Sequence, residues 1–188
     1  MNFRYRSALV LLMLILSSTF VVADEFDETR NMFENAGIAH LFESAYGYAL
    51  FPTIGKGGFV VGGAYGEGRV YEQGRHVGYS SMIQASIGFQ LGGTGFSQVI
   101  FFEDQRAFAE FVSGNFEFEA EAQATVLTAA AGASASTGGS SAVASGTKNN
   151  VAIAGAGYNK GMATYTITKG GLMYEASIGG QKFSFKRL

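Results

Sequence analysis

The residues of this 188-residue chain whose types and spacing could do chemistry are two histidines, three alternating glutamates and two glycine-rich loops. His40 and His76 could serve as bases or metal ligands, but neither has a partner at the spacing a metal helix or a catalytic pair needs. The sequence has no H-E-x-x-H, G-x-S-x-G or phosphate-loop signature. Glu117, Glu119 and Glu121 could serve a glycosidase or hold calcium; on an alternating strand they form one row on one face, which solvation alone accounts for. Gly55-Lys56-Gly57-Gly58 and Gly155-Ala156-Gly157-Tyr158-Asn159-Lys160-Gly161 resemble phosphate cradles. Neither leads into a helix whose N-terminus would hold the anion, so both read as turns or bulges. Cysteine is absent, which excludes thiol catalysis, thiolate metal sites, disulfides and acylation at cysteine. The expectation is a protein that is not an enzyme and needs no cofactor or metal.

The elements that would position these residues begin after a leader. Arg4 and Arg6 precede an apolar run from Ala8 to Leu16, and Val21-Val22-Ala23 supplies small residues before Asp24, the pattern of a cleaved export signal over residues 1–23. Residues 24–188 are of a size for one domain. From Asp24 to about Ser44 the chain is acidic and patterned for short helices interrupted at Gly37, with Phe26, Phe33, Ile38, Leu41 and Phe42 on one side. Gly47 to Phe51 is a compact apolar strand that Pro52 is expected to end. Residues 59–102 read as consecutive strands, with a hairpin at Glu72-Gln73-Gly74-Arg75 and a doubly buried strand at Val99-Ile100-Phe101-Phe102. Glu103-Asp104 opens a helix carrying Phe108, Phe111 and Val112, which Gly114 stops.

Beyond it, Phe116, Phe118, Ala120, Ala122, Ala124 and Val126 alternate with polar residues, which predicts a single strand with one wet face. Residues 129–146 form a low-complexity Ala/Ser/Gly tract, read as a loop or as small-residue strands. Alternation resumes from Val151 through Tyr165 and Ile167, and the chain closes on Phe183 and Phe185 set against Lys182, Ser184 and Lys186. The glycines of residues 57–95 imply bulges, sharp coiling or close backbone approach. The expected fold is α+β and β-dominated: a strongly curved antiparallel sheet or closed barrel, with short N-terminal helices and one mid-chain helix.

The whole chain carries 13 basic and 15 acidic side chains. Arg4 and Arg6 belong to the leader, so the domain itself keeps 11 of the basic ones and a net charge of −4. That balance argues against a nucleic-acid partner.

Ala45-Tyr46-Gly47-Tyr48-Ala49-Leu50-Phe51-Pro52 followed by Gly57-Gly58-Phe59-Val60-Val61-Gly62-Gly63-Ala64-Tyr65-Gly66-Glu67-Gly68 resembles the opening of the SYLF domain. Ser86 to Gly92, the strand from Val99 with its following helix, and Lys169-Gly170-Gly171-Leu172 match in the same order. The resemblance spans about Phe33 to Phe185 and implies a lipid-binding, non-enzymatic module of the bacterial exported branch. The implied ligand is an anionic phospholipid or another envelope amphiphile. Tyr46 and Glu67 stand where the family is more basic, which implies looser headgroup capture. Phe26, Phe33, Leu41 and Phe42 are the apolar candidates for lipid contact, with ordinary packing against the sheet as the other reading. Lys56, Arg69, Lys182, Lys186 and Arg187 are the cationic candidates. The expected location is the periplasm, peripheral on a membrane, with secretion as the alternative. An envelope protein partner, and a small outer-membrane barrel, are the alternative functions.

Overall fold

The computed structural model describes residues 24–58, 61–87, 94–120, 122, 124–127, 134–135, 157–169 and 178–188. The leader, nearly all of the Ala/Ser/Gly tract, the start of the alternation at Val151 and the Lys169-Gly170-Gly171 turn beyond Lys169 lie outside these residues.

Asp24 opens the first helix, α1 (Glu25–Phe33), by accepting a hydrogen bond from the Phe26 backbone N–H at 2.6 Å. A π-helical turn over Glu34–Ile38 follows and contains Gly37 at φ +103°, which breaks the run into two as the sequence predicts. The short α2 (Ala39–Ser44) leads into the sheet. Its strands are β1 (Gly47–Gly58), β2 (Val61–Glu72), β3 (Arg75–Ile87) and β4 (Thr94–Phe102), then β5 (Phe116–Glu117), β6 (Thr125–Leu127), β7 (Ser134–Ala135), β8 (Met162–Lys169) and β9 (Lys182–Arg187). Between β4 and β5 lies α3 (Gln105–Phe111), capped by Asp104 Oδ1, which accepts from the Ala107 N–H at 2.8 Å.

The strands join in the order β5-β9-β3-β2-β1-β4-β8-β6-β7 and curl into a half-barrel. Of the two forms expected, the open curved sheet is the one found. All pairings are antiparallel except β6 with β8, which is parallel. The β2–β3 hairpin turns at Gln73 (φ +48°) and Gly74 (φ +76°), two consecutive left-handed residues whose twist matches that of the strands.

Both faces of the central strands are covered. On the inner, concave face Phe51, Ile54, Met82, Ile100, Phe102 and Phe183 pack against Ala107, Phe108 and Phe111 of α3. On the outer face Tyr48, Leu50, Val99, Phe101 and Tyr165 pack against Phe33, Ile38, Leu41 and Phe42 of the N-terminal helices. The Val99–Phe102 run is therefore buried on both sides, as its unbroken hydrophobicity requires. Tight curling explains part of the glycine content. A Cβ on Gly68 would lie 2.6 Å from the Phe51 ring and 2.7 Å from the Leu50 carbonyl oxygen, so only hydrogen fits.

Two expectations need correction. Pro52 does not end β1: the register with both neighbours shifts between Leu50 or Phe51 and Ile54, so the missing N–H falls in a bulge. The Pro52 carbonyl accepts a hydrogen bond from Ser97 Oγ at 2.7 Å there. The alternation from Phe116 to Val126 is not one strand, because only Phe116–Glu117 and Thr125–Leu127 pair regularly. Between them Ala120 presses on Gly179, where a Cβ would sit 2.1 Å from the Ala120 oxygen. The segment is held instead by separate bonds such as Phe118 N–H to Gln181 C=O and Ile178 N–H to Ala122 C=O. On β8, Thr164 and Thr166 face the half-barrel interior and are buried.

Candidate functional site

The helices cap only half of the outer face. Over β1, β4, β8 and the Arg69–Tyr71 end of β2 they cover it; over the rest of β2 and over β3, β9 and β5 the face is open among the described residues, and side chains there line up in cross-strand rows. The first row runs Tyr65–Ile83–Lys182–Glu117, one residue from each of four adjacent strands. The second is Glu67–Ser81–Ser184 and the third Arg69–Tyr79–Lys186. Tyr65, Tyr79 and Ile83 are 53, 48 and 54% exposed, unusual for large apolar side chains and concentrated on one strip.

Cations flank the strip. Lys182 Nζ lies 3.3 Å from Glu117 Oε2, and Lys186 has no ion-pair partner among the described residues. Tyr65 Oη donates to Glu67 Oε1 at 2.7 Å, and this bond to the charged carboxylate pushes the phenol pKa up. Tyr79 meets the His76 ring edge-on at 4.9 Å; His76 in turn contacts Tyr71, which stacks on buried Tyr48 at 4.6 Å. A chain of rings thus links the exposed strip to the outer-face core. A hollow of about 410 Å³ opens where β9 meets β5, lined among others by Ser81, Ile83, Asn115, Glu117, Lys182 and Ser184.

The sequence candidates distribute as follows. Phe33, Leu41 and Phe42 are core residues, at most 9% exposed, because the helices dock that side onto the sheet. In this fold they pack against the sheet, as the packing reading of the two expects. Phe26 is half-buried beneath the Arg69 guanidinium, whose carbon lies 4.0 Å above its ring. Arg69 also pairs with Asp24 at 2.5 Å, so it fastens α1 to β2. Of the remaining cations, Lys182 and Lys186 stand on the open strip. Lys56 pairs across the sheet with Ala64 of the inner cluster, and Arg187 follows the inward parity of Phe183 and Phe185. The strip therefore unites Lys182 and Lys186, touches Arg69, and leaves Lys56 and Arg187 on the other face.

The chain is similar to Beta cell expansion factor A of Aeromonas veronii. The two are 32% identical over 145 residues, 76% of this chain and 47% of that protein. The chain thus spans about half the length of the curated relative it matches. No family model matches.

Groups suited to catalysis do not converge among the described residues. His40 is exposed on α2, and His76 lies within 3.0 Å of the Gly78 carbonyl through Nε2. No cluster of three metal-ligating side chains occurs among the described residues. Glu117 and Glu119 each face a lysine, Lys182 and Lys160, while Glu121 lies outside those residues. No described helix is long and apolar enough to cross a membrane. Reading the sequence missed Tyr65, Tyr79 and Ile83. Their signal was present, since all three occupy odd positions on β2 and β3, alternating with buried Gly66, Ser80 and Met82. Which parity faced solvent depended on where the helices docked.

Proposed function

We propose that this chain is a non-enzymatic, SYLF-like envelope protein that binds a phospholipid membrane surface, exported through its leader and peripheral on the membrane. The open strip carries this reading: Tyr65, Tyr79 and Ile83 lie exposed on rigid strands with Lys182 and Lys186 beside them. Tyrosine, with an apolar ring and a polar tip, suits the headgroup boundary, and lysine adds attraction to anionic lipid. The strip replaces the N-terminal residues as the contact, because Phe33, Leu41 and Phe42 are committed to the core and Phe26 lies beneath Arg69. The resemblance to SYLF domains supports the same reading. Beta cell expansion, named for the relative, is an effect of that longer protein; for this chain it is a further possibility to test with the purified protein on beta cells.

The test is flotation of the purified protein with vesicles containing phosphatidylglycerol, at low and high salt. Binding is expected at low salt and is weakened by salt, since exposed cations are screened within about 10 Å at 0.1 M. Lys186→Gln lowers apparent affinity about fivefold, the worth of one basic residue near an anionic surface. Tyr79→Ser combined with Ile83→Ser removes most of the remainder. Absence of flotation in either salt, or equal flotation of all variants, refutes the reading.

A further inference from the structure

The hollow beside β5 combines features that a general adhesive surface would not need. Its two charges are of opposite sign and adjacent, Lys182 and Glu117, at 3.3 Å across the β9–β5 ladder. Beside them Ser81 Oγ and Ser184 Oγ share a hydrogen bond of 2.7 Å. The turn through Gly114 (φ +88°) brings Asn115 to the same hollow. The next positions along the row are apolar, Ile83 and then Tyr65.

We propose that this hollow is a headgroup subsite for a phosphoethanolamine lipid. The inference rests on the membrane-surface reading above and names the lipid that the strip selects. A phosphodiester needs a cation and donors, which Lys182 and the hydroxyl proton left free by the Ser81–Ser184 bond supply, with Asn115 lining the same hollow. A primary ammonium two carbons away needs an acceptor of opposite charge, which Glu117 supplies. The hollow is open toward solvent on the side of the strip, and Ile83 and then Tyr65, the next positions of the row, lie where the glycerol and the first acyl carbons would follow. The same geometry disfavours the alternatives. Choline has no N–H to donate to Glu117. Phosphatidylglycerol has no cation, so a phosphate that draws Lys182 away from Glu117 brings nothing to replace it at the carboxylate. Lys186, two residues along β9, supplies the general attraction to anionic surface, while the Lys182–Glu117 pair supplies the choice of headgroup.

The experiment compares vesicles of fixed phosphatidylglycerol content whose remainder is either phosphatidylcholine or phosphatidylethanolamine, so that surface charge is constant. The ethanolamine vesicles are expected to bind about fivefold tighter, the worth of one charge-assisted contact at a wet surface. Glu117→Gln is expected to erase that difference. Independently of any variant, amide NMR of the protein titrated with soluble glycerophosphoethanolamine is expected to shift Ser81, Asn115 and Ser184, with glycerophosphocholine shifting them little. Equal binding to both vesicles together with equal or absent shifts overturns the subsite while leaving the membrane reading intact. Shifts without binding to any vesicle overturn the membrane reading and keep the subsite. An ethanolamine preference that survives Glu117→Gln overturns the assignment of the ammonium partner.

Discussion

Gln98 and Gln181 exchange two hydrogen bonds, at 2.9 and 3.2 Å, in a part of the half-barrel where neither side chain touches water. Gln181 also donates to Gln84 Oε1 at 3.4 Å, and Gln84 donates to the Gly179 carbonyl at 3.0 Å. These bonds tie β4, β3 and the turn before β9 together through the interior. Thr166, directly opposite Gln98 on β8, is buried and its Oγ1 finds no hydrogen-bond partner among the described residues. The two positions should therefore respond in opposite ways. Gln98→Leu leaves the Gln181 amide short of its partner and should cost about 1–3 kcal/mol in urea unfolding, whereas Thr166→Val removes a polar atom that gains nothing and should be neutral or stabilising. Equal losses in both variants would show that the amide pair does not carry the interior.

At the scale of elements, the N-terminal helices decide what the sheet exposes, and α1 is held by ion pairs as well as by its buried Phe33. Asp24 caps the helix and pairs with Arg69, while Glu25 accepts from Thr53 at 2.8 Å and pairs with Lys169 at 3.6 Å. The Phe26 backbone N–H, and secondarily Arg69, hold the Asp24 carboxyl below its usual range. A depressed carboxylate contributes stability that is complete above its ordinary pKa and is lost as pH falls through the lowered value. Asp24→Ala should accordingly lower Tm by about 2–4 °C at neutral pH and have a vanishing effect near pH 2, read by thermal melts. The strands impose a second, steric demand at this scale. Gly68→Ala should cost roughly 1–3 kcal/mol because the added methyl meets the Phe51 ring and the β1 backbone. A melt unchanged from the parent would mean the half-barrel is less tightly curled than described.

For the molecule as a whole, the curled sheet makes two cores, and the outer one is rich in phenols. Burial pushes Tyr48 and Tyr165 up to about 12. A raised phenol stabilises the fold fully below its ordinary pKa near 10, and that contribution disappears as pH rises from about 10 to 12. The denaturation midpoint should fall through that window, and Tyr165→Phe should flatten the fall. The same arrangement leaves one strip of the outer face without a covering element among the described residues, and the proposed membrane contact falls on that strip.

Much of the fold was legible in the sequence because it depends on neighbours along the chain. The break at Gly37, the hairpin at Gln73-Gly74, the cap at Asp104 and the doubly buried run from Val99 to Phe102 follow from local backbone preference and from hydrophobic period. Pro52 and the Phe116–Val126 alternation misled because a bulge against both β2 and β4, and the pressure of Gly179 on Ala120, come from strands distant in sequence. The candidate site was legible only in part: Lys182 and Lys186 could be assigned to one wet face of the last strand, but their apolar companions could not. A strand pattern states that two faces differ without stating which one a helix will cover. That choice was made by the docking of α1 and α2 over β1, β4 and β8, which buried Phe33, Leu41 and Phe42 and left Tyr65, Tyr79 and Ile83 in water.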